Sequence, residues 1–78
     1  MNNLEKLTNV FAETFGIDEA QVAGLKYQAI EQWDSVGHMT LVAAIEDEFC
    51  IEMDTDDIID MSSFEKAKEI VAKYGVEF

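Results

Sequence analysis

Apolar residues recur along most of this chain at the spacing of amphipathic helices. Leu4, Leu7, Val10, Phe11, Thr14 and Phe15 fall three or four residues apart and form one stripe. The pattern predicts a first helix over Asn3–Phe15, capped by Asn2 or Asn3 and ended by Gly16. A second helix is predicted from Ser35 to about Phe49, with Asp34 as its N-cap. At about 100° per residue, Leu41, Val42, Ile45 and Phe49 share one face, the core side. Val36, Met39 and Ala43 share nearly the opposite face, alongside Glu46 and Asp47. A second apolar strip rimmed by acids reads as a contact surface rather than as core. The last helix opens on Ser62-Ser63-Phe64-Glu65, which reads as a capping box between Ser62 and Glu65. Its stripe is Phe64, Ala67, Ile70, Val71 and Tyr74, and Gly75 closes it.

Two segments lack this period. Residues 17–34 scatter Ile17, Val22, Leu25, Tyr27, Ile30 and Trp33 among polar positions. A structureless connection of this length is uncommon unless it packs or functions, so those six side chains are expected to turn inward. One helical turn near residues 18–22, capped by Asp18, fits within it. Farther on, Ile51 and Met53 read as a short extended stretch, and residues 55–59 as one or two helical turns capped by Asp54 or Thr55. The expected fold is all-α: a small bundle of three main helices plus a short helix, with a long loop between the first and second helices.

Length and composition narrow the class. The 78 residues amount to one domain, spanning positions 1–78, with 49% apolar residues, too many for a disordered chain. No run of about 18 apolar residues is present, so no membrane insertion is expected. The opening Met1 to Glu5 lacks the basic stretch and apolar run of a secretory signal. A lone Cys50 cannot form an internal disulfide, which fits a reducing cytoplasm.

Charge changes the picture most. Seventeen carboxylates face five lysines, with no arginine, for a formal net charge of -12. Such a surface repels phosphate backbones, so nucleic acid is not an expected partner. Basic protein patches are its complement, and contacts of that kind are fast and salt-sensitive. The plainer alternative is that the acidity serves solubility alone.

Four constellations could carry chemistry. His38, the single histidine, lies three residues after Ser35 and so neighbours it on the helix. It also sits at the edge of the core stripe, where a histidine is more often a packing residue than a base, and nothing else supplies a triad or an oxyanion hole. Cys50 ends the second helix among acids, which disfavour a thiolate. Asp54, Asp56, Asp60 and Glu65 match positions 1, 3, 7 and 12 of an EF-hand loop, but Ile58 and Ile59 occupy positions 5 and 6, where a ligand and a glycine belong. No catalytic residue and no metal site are therefore expected. The fourth is Asp34-Ser35-Val36, a serine that follows a long loop and opens a helix with an acidic exposed face.

In that context the chain resembles the acyl carrier protein family. The matching stretch runs Trp33-Asp34-Ser35-Val36-Gly37-His38-Met39-Thr40-Leu41-Val42-Ala43-Ala44-Ile45-Glu46-Asp47-Glu48-Phe49. Its marks are the Asp-Ser-hydrophobic triplet and the acid-acid-acid-Phe close of the helix. The downstream Ile51-Glu52-Met53, short acidic helix and final amphipathic helix keep the family's order.

The resemblance implies that Ser35 accepts 4'-phosphopantetheine from coenzyme A through a separate phosphopantetheinyl transferase. Asp34 would help position the transferase's metal or the serine, and Val36, Met39, Ala43, Glu46 and Asp47 would form a docking face. A monomeric carrier without catalysis of its own would then present acyl thioesters to loading and transferring enzymes with basic patches. Where fatty-acid carriers show Leu-Gly-x before Asp-Ser, this chain has Glu31-Gln32-Trp33, and Gly37, His38 and Thr40 stand where acids are usual. That form is more similar to specialised stand-alone carriers of secondary pathways, and the resemblance implies service in a fatty-acid, polyketide or other specialised acyl pathway. A peptidyl or aminoacyl carrier and an acidic helical adaptor without a prosthetic group are the alternatives.

Overall fold

A computed structural model describes residues 2–78 of the chain. Its elements are α1 (Asn3–Phe15), a 3-10 turn (Glu19–Gln21), α2 (Ser35–Phe49), α3 (Thr55–Asp60) and α4 (Phe64–Lys73). There is no strand among the described residues, and the fold is the small all-α bundle that the periodicity predicts. Among the described residues, no helix is long and apolar enough to cross a membrane.

The helix ends follow from capping chemistry. Asn2 accepts the amide of Glu5 at 2.8 Å, and Gly16 leaves α1 in the left-handed conformation. The α4 cap departs from expectation by one residue. Ser63, not Ser62, accepts the Lys66 amide at 3.0 Å. The reason is tertiary: the Ser62 carbonyl accepts the Tyr27 amide at 2.8 Å, and Leu25 takes the Phe64 amide at 3.0 Å. This antiparallel bridge between Lys26 and Ser63 delays the start of the helix.

One core joins the elements. Leu7, Phe11, Val22, Trp33, Leu41, Ile45, Met61 and Val71 are its fully buried large side chains. Val22, Leu25 and Trp33 of the loop are buried, and Ile17, Tyr27 and Ile30 pack partly buried against them, so all six inward residues contribute. Trp33 is the centre of the aromatic set. It lies 5.5 Å from Phe11 edge-on and 5.4 Å from Phe15 in a stacked pair.

Leu4 and Phe49 stand apart from the expected stripes. Leu4 is exposed at the start of α1. Phe49 is only half-buried because it lies at the last turn of α2, where its ring meets the exposed Phe78 edge-on at 6.4 Å. Ile51 and Met53 alternate inward around exposed Glu52 but join no strand; the Met53 amide donates instead to the Glu46 carboxylate at 2.7 Å.

Candidate functional site

Ser35 occupies the junction where the loop becomes α2, and its residue is exposed. The residues around it hold that junction in place. Asp34 is extended, and its Oδ1 accepts the Gly37 amide at 2.8 Å while its carbonyl accepts the His38 amide at 2.7 Å. Gly37 is required by close approach. A Cβ built there would lie 1.9 Å from the Gln32 carbonyl oxygen, a backbone atom. The loop therefore presses against the first turn of α2 where a side chain is missing.

Trp33 and His38 lock the same turn from inside. The Trp33 indole Nε1 donates to His38 Nδ1 at 2.9 Å, with the rings nearly parallel at 13°. An indole nitrogen is only a donor, so Nδ1 is the bare nitrogen and Nε2 carries the hydrogen. Nε2 then donates to the Ile58 carbonyl of α3 at 2.7 Å. Both ring nitrogens are engaged, and His38 is half-buried as its place on the wheel predicts.

Between α2 and α3 lies an open cavity of about 380 Å³, lined by Tyr27, Ser35, His38, Met39, Ile58, Ile59, Met61 and Ser62. Its walls are mostly apolar, and Ser35 stands among them. The Tyr27 hydroxyl lies 3.4 Å from Ser35 Oγ. No lysine or carboxylate lines this cavity.

A polar clamp fixes the α3 wall. Asp57, only 7% exposed, accepts from Lys73 Nζ and from the Tyr74 hydroxyl, each at 2.5 Å. The Tyr74 oxygen accepts the Asp54 amide at 2.9 Å, tying the start of α3 to the end of α4. The Lys73 hydrogen bond, then that of Tyr74, holds the Asp57 carboxyl below its ordinary value of 3.8. Reciprocally, Asp57 raises both the Lys73 ammonium and the Tyr74 phenol.

The remaining expected contact residues divide. Val36 and Met39 are 76% and 55% exposed, and Ala43 is exposed beside them. Asp47 is exposed at the far end of that strip, where it also borders a groove with Glu13 and Glu48. Glu46 is half-buried and committed to the Met53 amide, so its carboxylate serves the fold as well as the face. Sequence reasoning missed three features. Ile59, 75% exposed, adds α3 to the apolar strip; adjacent isoleucines diverge by about 100°, so both could not turn inward. Asp57 looks like one acid among many until Lys73 and Tyr74 are brought to it. Tyr27 reads as packing alone, without its hydroxyl. Cys50 is exposed, and among the described residues no three His, Cys, Asp or Glu side chains converge as metal ligands.

Compared with known proteins, the chain matches no family model and no curated protein.

Proposed function

We propose that this chain is a carrier protein whose Ser35 accepts a 4'-phosphopantetheine arm. The observation that carries the reading is an exposed serine at the first turn of α2, lining a mostly apolar cavity. A neutral hydroxyl at a helix N-terminus suits an attached phosphodiester, because the terminal amides favour negative charge. Both nitrogens of His38 are already bonded, which leaves it unavailable as a base for Ser35 and favours modification by a separate enzyme.

In that reaction Ser35 Oγ bonds to the β-phosphorus of coenzyme A and 3',5'-adenosine diphosphate leaves. The bridging oxygen keeps the bond's electron pair, and the serine proton is taken up by the transferase. Once attached, the group supplies a terminal thiol that carries acyl chains as thioesters. Asp34 holds the start of α2, so that Ser35 is presented rather than buried. The cavity wall of Met39, Ile58, Ile59 and Met61 favours an aliphatic acyl cargo over a charged aminoacyl one. Val36, Met39, Ala43 and Ile59 offer apolar docking contact, and Asp47 adds charge that would steer a basic enzyme surface.

The test is incubation of the purified protein with coenzyme A and a promiscuous phosphopantetheinyl transferase, followed by intact-mass measurement. Wild type is expected to gain one phosphopantetheine, and Ser35→Ala none. No gain in wild type, or an equal gain in Ser35→Ala, would refute the carrier reading.

A further inference from the structure

The hydroxyl of Tyr27 has no role in the fold, yet it is held beside Ser35. Its ring is wedged edge-on against His38 at 5.5 Å and Trp33 at 6.1 Å. Its amide is tied to Ser62 at 2.8 Å, and the neighbouring Gln28 takes the left-handed conformation that turns the loop back to Trp33. The ring is thus fixed by packing, while among the described residues the oxygen at its end reaches only Ser35 Oγ, at 3.4 Å. Among the side chains lining the cavity, His38 has spent both nitrogens and Met39, Ile58, Ile59 and Met61 cannot donate. Ser62 makes no side-chain bond to Ser35, which leaves Tyr27 as the polar group aimed at it.

We propose that Tyr27 is the hydrogen-bond donor to the phosphodiester formed at Ser35, holding the arm's attachment at the cavity mouth; this rests on the carrier reading. The chemistry favours it. Esterified Ser35 loses its hydrogen and can no longer donate, whereas the new non-bridging oxygens are anionic acceptors two bonds beyond Oγ, across the phosphorus. A phenol bonded to an anionic oxygen makes the stronger, charge-assisted kind of hydrogen bond. A neutral donor also suits this surface, since no lysine lines the cavity and the chain has no arginine. Tyr27 would therefore be a positioning residue that restricts the arm, with no part in transferring it.

The experiment compares phosphopantetheinylated wild type with phosphopantetheinylated Tyr27→Phe, which keeps the ring and removes the oxygen. Phosphorus NMR should show the phosphodiester resonance displaced between the two proteins. In protein labelled at the tyrosine Cζ carbons, Tyr27 should shift between the unmodified and modified wild type while Tyr74 stays in place. Amide spectra of unmodified Tyr27→Phe that match wild type outside the loop would confirm that the fold is intact. Should both proteins gain the arm yet give the same phosphorus resonance, with Tyr27 Cζ unmoved on modification, the Tyr27 assignment falls and the carrier reading stands. Should wild type gain no mass, both fall together.

Discussion

The indole of Trp33 and the imidazole of His38 are hydrogen-bonded at 2.9 Å, and through His38 the loop before α2 is joined to Ile58 of α3. Trp33 is fully buried, and His38 is the partner of its N–H, so an apolar replacement of His38 leaves that donor without its bond. His38→Leu keeps bulk but orphans that donor and the Ile58 contact, at an expected cost of about 1–3 kcal/mol. Urea unfolding followed by the fluorescence of Trp33, the one tryptophan, measures it. His38→Asn places an amide oxygen near the Nδ1 position and should recover part of the loss. Equal stability of His38→Leu and wild type would mean that the bridge contributes nothing.

Gly37 tests the packing of the loop on α2. In an open helix position Gly→Ala is favourable by about 1 kcal/mol. Here the added Cβ meets a backbone oxygen at 1.9 Å, so no side-chain rotation relieves it. Gly37→Ala is expected to destabilise by about 1–3 kcal/mol and to slow loading of Ser35 as the junction shifts. Gly24→Ala, with nothing within 4 Å of its Cβ, is the control and should change stability by less than about 1 kcal/mol. A Gly37→Ala variant as stable as that control would show that the loop yields freely.

The helices and their faces were legible because the period of Leu7, Val10, Phe11 and Phe15, or of Leu41, Val42 and Ile45, is a local property of the chain. Burial of the loop's apolar residues followed from there being no other place for six such side chains. The partners of single polar atoms were not legible. Asp57 reaches Lys73 and Tyr74 across 16 and 17 residues, and His38 reaches Ile58 across 20. Such pairings are set by how α3 lies against its neighbours, which no periodicity encodes. The one-residue error at the α4 cap has the same origin, since the Ser62 backbone is claimed by Tyr27. At the candidate site, Asp34 and Ser35 were placed by capping chemistry, whereas Tyr27 and Ile59 came into view only when loop and α3 met.

The Asp57 clamp makes a prediction about pH. A carboxyl depressed in the folded state adds stability above its unfolded value, near 3.8, and that stability is lost as pH falls through the lower folded value. Lys73 and Tyr74, both raised, act at the other end. Their contribution is present below their ordinary values of 10.5 and 10.0 and is lost as pH rises through the folded ones. Neutralising other carboxylates in acid also relieves the net charge of -12, so the difference between wild type and Asp57→Asn is the quantity to measure. Thermal unfolding from pH 2 to 7 should show that difference large at neutral pH and shrinking below about pH 4. A pH-independent difference would mean that the clamp is not ionic.

Cys50 ends α2 in the left-handed conformation, at φ 54°, a place that Gly16 fills after α1. An L side chain costs about 1–2 kcal/mol there, while glycine accepts the conformation at the cost of a floppier unfolded chain. Cys50 is exposed, so its thiol contributes little burial to set against that strain. Cys50→Gly is therefore expected to stabilise by about 0.5–1 kcal/mol. Cys50→Ala, which keeps a Cβ, should leave stability within about 0.5 kcal/mol of wild type. Melting curves under reducing conditions separate the two variants. Were Cys50→Gly the less stable of the pair, the thiol rather than the backbone would be what the helix end needs.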